Sequence, residues 1–464
     1  MVQWADFPLD RMYTNSDETI LSHAVASVEN AYANEAKGFS RFPGLVPFVD
    51  IPSDRTYLCK FRDNLIVATD RGRVYRVSRT GAVLDVTGTP LSGGKRAIFA
   101  ATEDQLVIAA GGPLINLSSD HTRLLRNAPN STHVVFVDGY LIAIEAYSGR
   151  FSYCDPGLYE TWNPLSVFTA NGKPDDLNSA VVTPYRELLL AGSDSIEQYE
   201  RLPNGDQPFS RRWATGEGVQ FPYTLVADKS GTYGVNSRFE FVRFYGQVSQ
   251  DQGADVDLTF ESVDDWTEAW ASELSVKGQK FIVLQAPFAT NRHGTKGVTM
   301  LLDYRAKRWS FLYGWDDVLS VQSRWPVWSL ERIWGGVYAG VTGGIARLAD
   351  DSYKVLGKTH AFLVRTGHVD KFGPSRIDEV RIRLRRGDAP NETTEPLVGL
   401  RVNRDNLGFD QWTFEPLGLK GDRTMVIRFG GQGCADTWQF EIQITDDVPV
   451  EFVSLQIYVE RLRW

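Results

Sequence analysis

The chain has 464 residues, of which 42% are hydrophobic and 12% aromatic, and its formal net charge is −9. This length exceeds what one hydrophobic core usually holds, so we expect two to three domains, or one large repeat domain with an addition. The acidic balance argues against a protein that grips nucleic acid over its whole surface, because such binding needs cations that neutralise phosphates.

The N-terminal residues lack the basic start and apolar run of a signal peptide, and no later stretch reaches the ~18 apolar residues that a membrane span needs. The three cysteines, Cys59, Cys154 and Cys434, are too far apart in sequence to suggest a disulfide framework or a zinc motif. We therefore expect synthesis and folding in a reducing cytoplasm, without membrane insertion by this chain.

Residues 1 to 50 differ from the rest and are assigned to an N-terminal arm. Several apolar residues after a capping candidate at Ser16 have helical spacing, namely Ile20, Leu21, Ala24, Val25, Val28 and Tyr32. Residues 28–32 fit an extended strand equally well, so both structures remain open. The arm ends at a turn signal formed by Arg41, Phe42, Pro43 and Gly44, which delivers the chain into the next region.

Residues 51 to 365 carry a strand pattern that restarts every few tens of residues. In the first unit, residues 57–61, 65–68 and 74–77 are apolar segments separated by polar turns, and similar units begin near Ala97 and Val134. Units of roughly 35 to 50 residues with tight Gly or Asp turns are typical of β-propeller blades. Since one unit cannot bury both of its faces, the sequence predicts a ring of six or seven irregular blades.

The blade number stays open because the pattern is irregular between Leu225 and Phe281. A polar interruption from Gln247 to Asp257 is interpreted there as a loop or an insertion. Further on, a strand and a polar turn lead into Trp309. This layout favours a Trp wedged between adjacent blades over a Trp that stacks on a ligand.

From residue 366 to residue 464 the repeat stops and apolar residues alternate regularly with polar ones. The alternating apolar positions include Trp438, Phe440, Ile442 and Ile444, and later Val453, Leu455, Ile457 and Val459. A period of two with one polar face is typical of antiparallel strands. The sequence predicts a C-terminal antiparallel domain resembling a β-sandwich, which makes the whole chain all-β.

Catalytic and metal-binding patterns are weak in this sequence. The six histidines are scattered, with no HExxH motif. Acidic doublets occur at 175–176, 264–265, 316–317, 350–351 and 446–447. A pair of carboxylates can act as general acid and base, but such doublets in loops are usually turn residues. We expect no enzymatic activity, no metal and no cofactor.

Arg381, Arg383 and Arg385 alternate with aliphatic residues, so three guanidinium groups lie on one face of a strand. We call these three residues the arginine stripe. The favoured interpretation is cross-strand pairing with carboxylates such as Glu441. The alternative is a basic stripe at a subunit interface or facing DNA in a channel.

The order of elements is informative where the single motifs are short. An arm with Val28-Glu29-Asn30-Ala31-Tyr32 is followed by Arg41-Phe42-Pro43-Gly44-Leu45, a degenerate propeller, and a β domain that closes with residues 450–457. This order resembles the packaged-DNA stabilisation, or tail nozzle, proteins of short-tailed phages. The resemblance covers nearly the whole chain.

The resemblance implies a non-enzymatic component of the virion tail. Members of that family form a hexameric ring below the portal and its adaptor ring, retain the packaged genome, and attach the tail needle, tip or tailspike protein. DNA would pass through the channel without sequence-specific binding, and an acidic lumen would weakly repel its phosphates.

Two other functions remain open from the sequence. A carbohydrate-active propeller, a depolymerase or a lyase, would be expected to show Asp-boxes or clustered Arg and Glu at blade starts, which the sequence lacks. A propeller that interacts with a host cell without any role in a phage would be distinguished by its neighbouring genes.

Overall fold

The computed structural model describes residues 2–7, 25–34, 38–118, 120–170, 172–202, 208–386, 395–418 and 424–462. These residues form 42 strands, β1 to β42, one 3-10 turn and one short helix. Most strands are paired with their neighbours in sequence, as expected of hairpin-connected antiparallel sheets. The chain is therefore all-β, as the sequence predicts.

Seven antiparallel units follow one another between residues 44 and 349. Blade 1 contains β6 (Thr56–Phe61), β7 (Asn64–Thr69), β8 (Val74–Val77) and β9 (Val83–Asp85). Blade 2 contains β10 (Ile98–Ala101), β11 (Leu106–Ala109), β12 (Ile115–Leu117) and β13 (Thr122–Leu124). Blade 3 contains β14 (Ser131–Val137), β15 (Tyr140–Glu145), β16 (Arg150–Cys154) and β17 (Val167–Thr169). Blade 4 contains β18 (Leu177–Val182), β19 (Leu188–Gly192), β20 (Ile196–Arg201) and β21 (Phe209–Thr215). Blade 5 contains β22 (Val226–Asp228), β23 (Gly231–Val235), β24 (Phe241–Tyr245) and β25 (Val248–Asp251). Blade 6 contains β26 (Trp270–Val276), β27 (Gln279–Thr290), β28 (Lys296–Asp303) and β29 (Arg308–Phe311), and blade 7 contains β32 (Val327–Ile333), β33 (Gly336–Val341), β34 (Gly344–Ala349) and β5 (Gly44–Asp50).

The ring is closed by a strand from the beginning of the chain. β5 pairs with β34, so the outer strand of blade 7 lies in the range that the sequence assigned to the arm. The first strand of blade 7 also contacts the first strand of blade 1. The propeller therefore has seven blades and no open edge between its last blade and its first.

The region that looked irregular in sequence is blade 5 and the connection after it. The polar interruption from Gln247 to Asp257 contains β25, the outer strand of blade 5, and a 3-10 turn, Ala254–Val256. The helix α1 (Asp257–Glu261) follows. A hairpin of β30 (Tyr313–Asp316) and β31 (Val321–Arg324) connects blades 6 and 7.

The described part of the arm is extended rather than helical. It forms β1 (Val2–Phe7), β2 (Val25–Glu29), β3 (Ala31–Ala33) and β4 (Phe39–Arg41). Ser16, Ile20, Leu21 and Ala24, on which the helical alternative depended, lie outside the described residues.

The C-terminal domain is a sandwich of two sheets. Its strands are β35 (Phe362–Thr366), β36 (Ser375–Arg386), β37 (Leu397–Arg404), β38 (Thr413–Pro416), β39 (Met425–Phe429), β40 (Gly433–Ala435), β41 (Trp438–Ile444) and β42 (Val450–Arg461). One sheet has the order β3-β4-β42-β36-β39, with β1 also on β42 and β40 on β36. The other continues blade 6 outward through β2 into β35-β41-β37-β38. Their inner faces, with Ile382 and Leu455 on one side and Leu400 and Phe440 on the other, share one hydrophobic core.

Blade 6, the arm and the C-terminal domain thus belong to one continuous nine-stranded sheet. The same core includes Trp309, Phe241 and Phe260. The indole Nε1 of Trp309, in blade 6, donates a hydrogen bond at 2.9 Å to the carbonyl of Gln252, beyond the last strand of blade 5. Trp309 is buried between these blades, as the sequence indicates.

Candidate functional site

The centre of the propeller is a small cavity lined by both polar and apolar residues. Its walls are the first strands of the blades, with Leu58 from blade 1, Val135 from blade 3, Val181 from blade 4 and Leu330 from blade 7. The cavity has a volume of about 350 Å³, which suits a small molecule but is far less than a DNA duplex needs.

A larger cavity of about 680 Å³ opens on one face of the ring, and we call it the mouth cavity. Most of its lining lies where the chain enters the first strands of blades 2 to 6, at positions 95–96, 132, 176–178, 220–223 and 264–269. Positions 147 and 239 belong to the connections between the second and third strands of blades 3 and 5. Arg96, Pro222 and Tyr223 line both cavities, so they lie between the mouth and the axis.

Arg96 is the cation at the floor of the mouth cavity. Its guanidinium carbon lies 5.0 Å from the ring centroid of Tyr57 and 5.0 Å from that of Trp270. Burial lowers the pKa of Arg96, and the nearby Tyr57, Tyr223 and Glu268 oppose that shift. Among the described residues, none accepts a hydrogen bond from the guanidinium or forms an ion pair with it. Arg96 is therefore a charged group held by aromatic faces, with its hydrogen-bonding capacity unused.

Aromatic side chains form one wall of the mouth cavity. Phe221 and Trp266 are stacked with centroids 5.0 Å apart, and Phe239 lies 5.8 Å from Phe221. Tyr147 is 84% exposed at the rim. Trp266 is itself buried and stacked against both Phe221 and Phe260, so the ring surface open to a ligand is mainly that of Phe221 and Phe239.

A histidine lies beneath this wall, in the first strand of blade 3. His133 is stacked on Tyr223 with centroids 5.3 Å apart. Burial, together with the charge of Arg96, lowers the pKa of His133 to about 4, although a hydrogen bond with the backbone of Pro222 opposes the shift. The imidazole is therefore neutral at physiological pH and adds no charge to the floor.

The carboxylates of the mouth cavity are held by local hydrogen bonds. Asp264 accepts hydrogen bonds from the backbone N–H of Thr290 at 2.7 Å and from its hydroxyl at 2.8 Å. These bonds lower the pKa of Asp264. Asp265 accepts the N–H of Thr267, and Glu268 is paired with Arg55. Asp264 is thus an ionised acceptor in a turn, the opposite of the raised pKa that a general acid needs.

Other acidic doublets also have structural hydrogen-bond partners. Asp316 accepts the N–H groups of Val318 and Leu319, as a turn residue does. Asp175 accepts a hydrogen bond from the hydroxyl of Ser195, and Asp446 accepts the N–H of Leu397 at 2.8 Å, so these two carboxylates connect separate segments of the chain.

The arginine stripe lies on β36, in the C-terminal domain and apart from the mouth cavity. Arg381 pairs with Glu379 at 2.6 Å and lies 3.9 Å from the ring centroid of Trp4. Arg385 pairs with Glu451 at 3.4 Å, and Arg383 is exposed, without an ion pair to any residue that the structure describes.

Glu441, the partner suggested from sequence, is not a partner of the arginine stripe. It lies in the other sheet, buried between its cross-strand neighbours Arg365 and Arg401, and accepts hydrogen bonds from both. Sequence alternation identified the shared face of the stripe but not which strand lies beside it, because strand order is a tertiary property.

The turn motif at the end of the arm is buried at the junction of the two domains. The Arg41 guanidinium donates hydrogen bonds to the carbonyls of His360, Asp446 and Val448. Burial lowers the pKa of Arg41 to about 10, so the group stays protonated at neutral pH. Phe42 is fully buried, with edge contacts to Trp325 and His360.

The two following residues of the motif, Pro43 and Gly44, lead directly into the outer strand of blade 7. A Cβ on Gly44 would lie 2.2 Å from the carbonyl oxygen of Lys354, so only glycine fits there. The motif is a structural lock between the arm, the last blade and the C-terminal domain.

Two features are absent from the described residues. Within those ranges, no three His, Cys, Asp or Glu side chains come together as a metal site would require. The helical residues there offer no segment of the length and apolarity needed to cross a membrane.

No protein-family model matches the chain, and a search of curated proteins finds no match. Solved structures that are similar include BamB from Moraxella catarrhalis, at 11% identity and a TM-score of 0.39 over 66% of this chain and 96% of that one. A streptogramin B lyase is similar at 8% identity and a TM-score of 0.43, over 66% and 97%. The WD40 β-propeller domain of Doa1 is similar at 12% identity and a TM-score of 0.38, over 64% and 92%. The fold assignment rests on the strand pairing above, and these similarities carry no functional inference.

Proposed function

We propose that this chain is a structural subunit of a phage tail nozzle, assembled as a ring below the portal and adaptor ring. The resemblance in the order of sequence elements implies that this ring is a hexamer. The observation that carries the proposal is that the contacts of Arg41 and the nine-stranded sheet hold the arm, the propeller and the C-terminal domain together. A subunit that retains a packaged genome must resist force without its domains separating. Arg41 and the nine-stranded sheet join segments from both ends of the chain into one body.

The proposed DNA path lies between subunits rather than through a propeller. The axial cavity of about 350 Å³ leaves no passage for a duplex inside one copy. A ring of copies would instead enclose a channel lined by the outer surfaces of its subunits. With a net charge of −9 per chain, those surfaces would on balance repel phosphates weakly and let DNA slide.

Two of the three arginines of the stripe are paired, which is compatible with this role. Arg381 and Arg385 already have carboxylate partners within the chain, so they are not a reserve of free cations for DNA. The exposed loops of seven blades supply lateral surfaces for neighbouring copies, for the adaptor ring, and for a tail needle, tip or tailspike protein. The location proposed for the chain is the virion tail, after synthesis in the bacterial cytoplasm.

Electron microscopy of tails, with the chain labelled by antibody, tests the proposal. We expect label in a ring directly below the portal and adaptor. Absence of the chain from the particle would contradict the proposal, as would cleavage of host polysaccharide by the purified protein. The second result would favour a carbohydrate-active propeller, a depolymerase or lyase, instead.

A further inference from the structure

The mouth cavity contains an unused positive charge. Arg96 contacts two aromatic rings, but it has no carboxylate or carbonyl partner among the residues that the structure describes. Its side chain is partly accessible and lines the cavity. A guanidinium group in such a place binds a planar carboxylate well, because its N–H groups match the two carboxylate oxygens and little water competes.

The wall beside Arg96 suits a ring with an apolar face. Phe221, Trp266 and Phe239 form a connected aromatic surface, and Tyr147 projects at the rim. The face of a pyranose ring consists of C–H groups and packs against such aromatic rings. The volume of about 680 Å³ is in the range of small-ligand sites and accommodates one or two sugar units.

The acidic groups at the rim determine which anions are acceptable. Asp176 and Asp265 line the cavity, while Asp264 is held by Thr290 and Glu268 by Arg55. Carboxylates accept hydrogen bonds from sugar hydroxyls. They would repel a ligand that carries a phosphate on every unit, as a nucleic acid does. The cations of the described lining are Arg96 and the exposed Lys95, and of these two only Arg96 also lines the axial cavity at the floor. A floor cation surrounded by acceptors matches a ligand with one negative charge and several hydroxyl groups.

We propose that the mouth cavity binds a saccharide unit that bears a single carboxylate, such as a hexuronic acid of an acidic polysaccharide. Arg96 pairs with the carboxylate, the aromatic wall packs against the ring, and the rim carboxylates accept from its hydroxyls. The site is independent of the nozzle proposal, because its residues belong to one chain.

Calorimetric titration of the full chain with D-glucuronate and with D-glucose tests this assignment, because the two sugars differ only at C6. We expect glucuronate to bind at least about tenfold more tightly, as a charge-assisted hydrogen bond predicts. Arg96→Gln should remove that preference. The control Arg123→Gln changes an exposed arginine on the outer strand of blade 2, and this variant should still prefer glucuronate to glucose.

A second variant keeps the test valid if Arg96→Gln fails to fold. Phe239→Ala alters a half-exposed ring at the wall and should weaken both sugars while the preference for glucuronate remains. Equal affinity of the unmodified chain for the two sugars, or no saturable binding of glucuronate, overturns the assignment. So does a folded Arg96→Gln protein that still prefers glucuronate.

Discussion

Arg41 donates a hydrogen bond from Nη2 to the carbonyl oxygen of His360 at 2.5 Å, although 319 positions separate the two residues. The same guanidinium donates from Nη1 to the carbonyls of Asp446 and Val448. One side chain of the arm therefore satisfies three carbonyls of the C-terminal domain and of the segment that enters it. A buried carbonyl left without a donor is costly, so this contact is specific as well as stabilising.

Replacing Arg41 by Met should destabilise the protein strongly. The fall in the free energy of unfolding should be about 3 kcal/mol or more, because each orphaned buried carbonyl costs about 1 to 3 kcal/mol. Urea unfolding followed by tryptophan fluorescence measures it. The matched control is Arg71→Met, whose side chain is 57% exposed and 4.0 Å from Asp54, and whose loss should cost about 0 to 1 kcal/mol. Equal midpoints for the two variants would contradict the role of Arg41.

Replacing Trp309 by Ala should cost about 3 to 5 kcal/mol, the range for large aromatic residues removed from a core. Trp309→Phe should cost less, since most of the packing against Phe241 and Phe260 remains and only the hydrogen bond to Gln252 is lost. Tyr185→Ala, at a side chain that is 72% exposed, is the control and should leave the melting temperature nearly unchanged. The measurement is thermal unfolding. A negligible shift for Trp309→Ala would mean that the two blades do not depend on this contact.

Stability should also depend on Glu29, which is fully buried beside Arg292 and His293. Burial alone would raise the pKa of Glu29, but the charges of Arg292 and His293 outweigh that effect and lower it below the ordinary value of 4.5. A carboxyl group with a lowered folded pKa binds fewer protons in the folded chain. Its contribution to stability is therefore present above about pH 4.5 and is lost as the pH falls through its folded pKa.

Urea titrations of the unmodified chain and of Glu29→Gln from pH 7 to pH 3 check this dependence. The difference in unfolding free energy between the two proteins should be constant at neutral pH and shrink below about pH 4.5. Glu103→Gln, at an exposed carboxyl, is the control and should differ little from the unmodified chain at any pH. If the difference in unfolding free energy between the unmodified chain and Glu29→Gln does not change with pH, the charge of the Glu29 carboxylate does not stabilise the fold.

Sequence periodicity predicted much of the propeller because each blade forms its hairpins from adjacent residues. The hairpins of blades 1 to 3 lie where the apolar segments and the turns indicate them. The closing strand β5 could not be recognised in this way, since it pairs with β34 about 300 residues later in the chain. Likewise β25 was interpreted as a loop because its residues are mostly exposed and polar, as an outer strand allows.

The mouth cavity was missed for a related reason. Its lining comes from several separate connections, none of which contains a recognisable motif. The available signals were an arginine just before the first strand of blade 2 and an exposed aromatic residue in the Phe239 turn. Neither signal predicts that the two come together, because blade packing decides it. The arginine stripe, by contrast, was recognisable because its three members share one strand.

Removing the arm should affect folding as well as assembly. β2, β3 and β4 of the arm are paired within the folded body. Deleting residues 1–40 should therefore expose core residues such as Phe452, which packs against Phe39, and lower the melting temperature or cause aggregation. Deleting residues 1–24 is the control and, of the strands that the structure describes, removes the edge strand β1 alone. If the two deletion variants have the same melting temperature and the longer deletion still assembles into tails normally, the arm is only a linker.

The last prediction separates two roles for the arginine stripe. Arg381 and Arg385 are paired with Glu379 and Glu451, and exposed ion pairs contribute only about 0 to 1 kcal/mol each. Changing all three arginines to Gln should thus hardly alter folding, and assembled particles should retain their DNA at every salt concentration. Phosphate contacts repeated around a ring would behave differently, since each one lost reduces genome retention in a salt-dependent way.

The measurement is DNA leakage from assembled particles across a salt series. The matched control changes three exposed arginines of blade 1, Arg62, Arg71 and Arg73, to Gln and removes the same charge elsewhere. Normal assembly with salt-dependent loss of DNA in the stripe variant alone would assign β36 to the DNA channel and refute carboxylate pairing as its role.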